Sequence, residues 1–293
     1  MPAVGFVDDT GVRVTFADAL AGKGSFTIRR PLLSALGQPK ESYADATVTG
    51  LLPIGMQRQR ILRDRHDYYV APDSQTRLMW GLAIHSLLEK YRGGGVLTEV
   101  RMVVDLDGLK VGGTADTMQL WQPGTYHKGW ALEIVDWKTT NVSNVRHILA
   151  GELGKTDDGA AQLNAYWTLA NISPDSPILK AGLKPEQVEP VLVLENLSRD
   201  HRDYEAARPG KGPYPRWHEP VEAKAAPVAK TLATIRAAVR AWKAADKLVD
   251  ADLPPCDPDL LYGGVKCRNY CEISDHCRYA AENIAKLTVT RNF

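Results

Sequence analysis

Neither sign of charge predominates in this sequence: 36 Lys and Arg stand against 35 Asp and Glu, for a formal net charge of +1. That balance excludes a histone-like or ribosomal-type protein coated in positive charge. Any contact with nucleic acid must use a local basic patch. No apolar run approaches the roughly 18–20 residues of a membrane-spanning helix, so no membrane role is expected. The opening stretch MPAVGFVDDTGVRV has neither a charged leader nor an apolar segment, and a cytoplasmic location is the expectation. No internal repeat is visible. No GxxxxGK[ST] motif occurs, so any helicase or recombination partner would be a separate protein. Cysteine is rare, with four copies, all beyond residue 255. Such crowding in an intracellular chain suggests a metal or cluster site rather than disulfides.

What is present is a chain of 293 residues, 44% apolar, enough for one large domain or two small ones. Residues 1–50 carry few periodic signals. A helix is predicted from about Ser74 to Tyr91, with Leu78, Leu82, Leu87 and Leu88 at roughly helical spacing and Gly93-Gly94-Gly95 as its stop. Two strands follow, Val96 to Asp105 and Leu109 to Trp121, joined through Asp107-Gly108, a strong hairpin signal. A third strand covers Trp130 to Lys138. After a loop come a helix from Asp158 to Ala170 and an apolar strand from Val188 to Leu197. Residues 198–219 read as a long loop. A long amphipathic helix is predicted from Val221 to Val249, with Val228, Leu232, Ile235, Val239 and Trp242 in one stripe. The order defines an α/β core with a mixed central sheet flanked by helices.

The most informative stretch is Gly113-Thr-Ala-Asp116 followed by Ile134-Val-Asp136-Trp-Lys138. Alternate residues of a strand share a face, so Asp136 and Lys138 point the same way, beside Asp116 if the two strands pair. Most of the third strand is apolar, and charge placed there needs partners or a metal. Two carboxylates suit Mg²⁺ or Mn²⁺, and a lysine suits charge building on phosphoryl oxygens. Asp-x-Lys alone would be read as an ion pair at a strand end, with Asp116 capping a turn. His85 lies four residues after Gly81, on the same helix face, where the missing side chain leaves room over the imidazole. A lone histidine on such a face is more often a satisfied core residue. Glu99 sits on the first strand, where it could equally be a solvated edge charge. Gln162 and Tyr166 share a face of the next helix, and Tyr166 could simply pack the core. Glu133 falls on the face opposite Asp136.

Together, Gly81-x-x-x-His85, Glu99, Gly113-x-x-Asp116, Asp136-x-Lys138 and Gln162-x-x-x-Tyr166 resemble the PD-(D/E)XK nuclease superfamily. The RecB-type branch, with its CRISPR-associated and phage exonucleases, is the nearer likeness, over about residues 80–200. The resemblance implies a restriction-endonuclease-like core and a metal-dependent DNA exonuclease of recombination, repair or phage DNA metabolism. The implied partner is linear DNA, with single and double strands both left open. His85, Asp116 and Asp136 would be metal ligands, with the backbone carbonyl of Trp137. Lys138 would be the catalytic lysine, Gln162 and Tyr166 would position the substrate or the lysine, and Glu99 would be a carboxylate near the metal. The alternatives are an inactive nuclease fold serving as a DNA-binding or assembly module, and a protein whose metal only holds its fold.

Cys256, Cys267, Cys271 and Cys277 have the close spacing that lets one loop wrap a [4Fe–4S] cluster or a structural Zn²⁺, with His276 a substitute ligand in a mixed site. Several RecB-type nucleases carry such a cluster, usually with one cysteine before the core and three after. Here none precedes it, and Cys256 would have to take that place. The expected organisation is residues 1–73 packing on the core, 74–200 as the nuclease core, and 201–293 as the C-terminal helix and four-cysteine segment. Two basic groups could meet a phosphate backbone, Arg58 to Arg65 and the Arg236, Arg240, Lys243, Lys247 series.

Overall fold

The computed structural model describes residues 3–28, 33–34, 36, 43–52, 57–70, 72–88, 90–91, 93–149, 154–198, 218–256, 267, 271 and 273–280, apart from the side chains at 73–78, 80, 82 and 154–158. The chain divides into two units. One comprises Met1–Ser42, Pro53–Met79 and Arg240–Phe293, and the other Tyr43–Leu52 and Trp80–Val239.

The first unit draws on both ends of the chain. Strands β1 (Gly5–Val7) and β2 (Arg13–Thr15) pair antiparallel, followed by helix α1 (Phe16–Leu20). In the second unit, β3 (Ala46–Thr47) leads into α2 (Val48–Leu51). Back in the first unit, α3 (Gln57–Arg65) precedes β4 (Tyr69–Val70), which joins β1 in parallel. Strands of two or three residues are too short for a period-2 signal, which is why the sequence did not disclose this sheet. Its core is Phe6, Val14, Ile61, Leu62 and Val70, buried with Ala245, Leu253 and Ile273 from the far end of the chain.

The second unit is a mixed α/β layer. Helix α4 (Pro72–Leu88), whose residues to Met79 belong to the first unit, precedes β5 (Val96–Leu106), β6 (Leu109–Trp121) and β7 (Trp130–Thr140). Leu78 and Leu82 of the expected stripe lie outside the described side chains, and Leu87 is 63% exposed. The β5–β6 hairpin turns on Asp107 and Gly108, both at positive φ, as the Asp-Gly pair predicts. After β7 come α5 (Val142–Leu149) and α6 (Gly154–Ile172), then the short α7 (Pro177–Lys180) and β8 (Val188–Ser198). Strand β8 lies parallel to β7 along its whole length, from Trp130↔Val188 to Thr140↔Ser198.

The sheet order is β3-β6-β7-β8-β9, with β5 on the other edge of β6. Strand β9 (His218–Ala223) replaces the first turns of the helix predicted from Val221, and α8 begins only at Val228 (Val228–Asp246). Pro220 and the alternating polar pattern of HEPVEA suit an edge strand, and pairing with β8 from Leu192↔Ala223 to Leu197↔His218 fixes it there. The loop expected at 198–219 lies, over residues 199–217, outside the described residues. Among the described residues no helix is long and apolar enough to cross a membrane.

Two strands share one edge of β6. Strand β3 pairs with it at Val111 and Gly112, and β7 pairs with it from Thr117 to Trp121. Residues 113–116 fall in the gap between them, and the metal-type side chains gather there.

Candidate metal centre

Helix α6 covers one face of the sheet. Asp136 meets it through Gln162, and a Cβ added at Gly113 would stand 2.8 Å from Leu169 Cδ1 and 3.0 Å from Tyr166 Cε1. Met118 lies across from Ile134, which shares the face of Asp136. An odd residue and an even residue of β6 therefore face the same helix. The pleat is interrupted between them. On β5 the ladder pairs Thr98 with Thr117 and Val100 with Ala115, but Glu99 and Asp116, the positions between, are not paired. Glu99 has φ +49°, a left-handed conformation that costs a non-glycine residue on the order of 1 kcal/mol or more. The reversal delivers Glu99 and Asp116 to His85 of α4. Gly113→Val should therefore displace Tyr166 and lower the thermal midpoint by several degrees, measured by calorimetry; an unchanged midpoint would mean α6 yields freely.

His85 Nδ1 lies 2.8 Å from Glu99 Oε1 and 3.4 Å from Asp116 Oδ1. One ligand atom from each of His85, Glu99 and Asp116 lies within 4.8 Å of the others. Asp116 Oδ2 accepts the backbone N–H of Trp137 at 2.6 Å, closing the gap where the β6–β7 ladder has ended. Lys138 Nζ sits 2.7 Å from Asp136 Oδ2 and donates to Gln162 Oε1 at 3.1 Å. Gln162 Nε2 donates to Asp136 Oδ1 at 2.9 Å and to Tyr166 Oη at 2.6 Å. One amide thus ties together the aspartate, the lysine and the tyrosine.

Burial is nearly complete for the aspartates: side-chain exposure is 8% at Asp116 and 1% at Asp136, against 41% at Lys138. Burial, then the charge of Asp136, pushes the Asp116 carboxyl up to about 7. Asp136 is also raised, by burial opposed by Lys138. His85 is raised chiefly by its hydrogen bond to Glu99, and the Tyr166 hydroxyl is raised by burial. Three carboxylates share this site with one ammonium and one imidazole. A divalent cation fits the imbalance, and the oxygen and imidazole donors suit Mg²⁺, Mn²⁺ or related ions.

All the residues singled out in the sequence for this site come together: His85, Glu99, Asp116, Asp136, Lys138, Gln162 and Tyr166. Glu99 stands in the ligand group rather than beside it. Trp137, expected through its carbonyl, makes its contact to Asp116 through its N–H. Gly81 is less critical than expected, since among the described residues a Cβ there would meet only Thr139 Oγ1, at 4.0 Å. That proximity places α4 on the sheet face opposite α6, because Thr139 and Asp136 differ in parity. Glu133 accepts from Trp121 Nε1 at 3.0 Å, away from the cluster as parity predicts.

In the other unit, Cys267 packs with Cys256 and Cys277, and Cys271 packs beside Cys277 on the neighbouring core. Burial raises the Cys256 thiol and pushes Cys271 up to about 12. Arg58 is 2% exposed. Its Nε donates to Cys277 Sγ at 3.2 Å, an Nη donates to the Leu253 carbonyl at 2.5 Å, and the guanidinium lies over the Tyr279 ring. No local pattern signals this partnership. It removes Arg58 from the basic patch expected at 58–65. Arg65, bound to Asp250 and the Asp246 and Leu248 carbonyls, is committed internally too, and Arg63 donates to Tyr68.

Comparison with protein-family models finds no match to this chain, and comparison with curated proteins finds none. Among solved structures, the crystal structure of a protein named SSO0001 is similar over 85% of this chain and 92% of its own, with a TM-score of 0.42 and 14% identity. A likeness that distant assigns neither family nor activity.

Proposed function

We propose that the chain is a metal-dependent deoxyribonuclease with a PD-(D/E)XK core, an exonuclease by its likeness to the RecB-type branch, working in the cytoplasm. The observation that carries this reading is the meeting of His85, Glu99 and Asp116 ligand atoms within 4.8 Å, beside Asp136 and its lysine. A divalent cation, Mg²⁺ or Mn²⁺, held by these residues would polarise a phosphodiester and make water a nucleophile near neutral pH. Lys138 keeps its ammonium fixed between Asp136 and Gln162 yet partly exposed, so it can neutralise charge on the phosphoryl oxygens. Gln162 and Tyr166 hold that ammonium and the Asp136 carboxylate in place.

For the cysteines the reading is a [4Fe–4S] cluster. A buried guanidinium with a sulfur and a carbonyl as its polar partners needs an anion nearby, and a thiolate-bound cluster supplies one. A colourless protein with stoichiometric zinc would overturn the cluster and leave the nuclease intact.

The test of activity is a gel assay of end-labelled linear DNA and closed circular DNA with Mg²⁺ or Mn²⁺. Linear DNA should be degraded and circular DNA spared. Lys138→Ala should lower the rate about 100–1000-fold. A variant as active as the parent would place the chemistry elsewhere.

A further inference from the structure

On the α4 side of the sheet lies a cavity of about 340 Å³ whose lining includes Leu88, Thr98, Thr117, Glu133 and Trp137. Its wall shadows the metal centre residue by residue. Thr98 adjoins Glu99, Thr117 adjoins Asp116, Trp137 adjoins Asp136, and Leu88 follows His85 by one helical turn. The pleat reversal turns Glu99 and Asp116 to His85 on this same α4 side, so the cavity opens beside that ligand group, while Asp136 and Lys138 face α6.

We propose that this cavity seats one unpaired nucleobase of the strand whose phosphate lies at the metal centre, an inference that rests on the nuclease reading above. The chemistry of the wall selects a ring over a phosphate. No Lys or Arg lines it among the described residues, and the Glu133 carboxylate would repel an anion. Trp137 offers a stacking surface. Its indole packs nearly parallel to His218, with centroids 6.0 Å apart, and its Nε1 is buried with no partner among the described residues. Glu133 has one oxygen taken by Trp121 Nε1, which leaves the other to accept from the amino group of cytosine, adenine or guanine. Paired bases are shielded inside the duplex, so a seat of this kind favours single strands and frayed ends.

The test uses the full chain and single-stranded oligodeoxynucleotides. One set is base-bearing, one carries a run of abasic residues, and one carries 2-aminopurine at intervals. The parent should cut the base-bearing strand about tenfold faster than the abasic run. With Ca²⁺ replacing Mg²⁺, it should quench 2-aminopurine emission on binding. Trp137→Leu, which removes the ring, and Thr98→Met, which fills the cavity, should each abolish the preference and the quench while keeping the parent's circular dichroism. Equal cutting of both strands by the parent would overturn the seat and leave the nuclease standing. If nothing is cut, the nuclease reading fails, and the quench alone decides. A quench lost in both variants upholds the seat, and no quench in the parent overturns it.

Discussion

Asp116→Asn should abolish DNA hydrolysis, by at least about a thousandfold, and at the same time make the metal-free protein more heat-stable. The two effects share one cause. Burial pushes the Asp116 carboxyl from the ordinary 3.8 to about 7. Between those values the folded chain holds a proton that the unfolded chain has released. Stability of the chelated protein therefore falls as pH rises from about 4 to 7 and stays low above that. His85, raised mainly by Glu99, adds to the same trend, since the stability of its protonated form is lost as pH rises through its folded-state value. Each pKa step corresponds to about 1.4 kcal/mol, so relieving Asp116 at pH 8 is worth on the order of 2–4 kcal/mol. That should raise the melting point by roughly 4–10 °C in excess chelator. Added Mn²⁺ should stabilise the parent and not the variant. Calorimetry from pH 5 to 8, with and without metal, measures all of this; a variant that melts below the parent at pH 8 would refute the account.

Arg58→Met should be the most damaging change in the other unit. It withdraws a buried positive charge from Cys277 and leaves the Leu253 carbonyl without its donor. Leaving that buried carbonyl without a donor costs about 1–3 kcal/mol. If the sulfurs hold an anionic metal centre, the variant should also retain much less metal per chain. Urea denaturation and elemental analysis read the two effects separately. An unchanged midpoint with full metal content would show that the guanidinium serves no such purpose.

The long elements and the site were legible because their signals are local. Asp107-Gly108 turns the hairpin, and Asp136 and Lys138 share a face through simple strand alternation. Helix α5 falls where a loop is expected; Val142, Val145 and Ile148, at three-residue spacing, are its buried face. Three features were not legible. The pleat reversal at Glu99 and Asp116 depends on which strand occupies each part of the β6 edge, and nothing local in Glu-Val or Ala-Asp encodes it. Strand β9 exists through its pairing with β8, which overrides the helical pattern resuming at Val228. The arginines of α3 look like a surface patch by composition, but contacts with residues 246–253, nearly two hundred positions later, turn them inward.

That first unit is closed by residues made long after its opening strands. Phe6, Val14, Ile61 and Leu62 have Ala245, Leu253 and Ile273 as core partners. On the ribosome, at roughly 5–20 residues per second, they wait through the synthesis of the whole intervening sheet before those partners emerge. During that interval apolar side chains and the open edges of two very short strands are in water, so nascent chains arrested near residue 240 should be strong clients for chaperones. The sheet that carries the metal centre, contiguous from Trp80 to Val239 apart from β3 and α2, has no such delay.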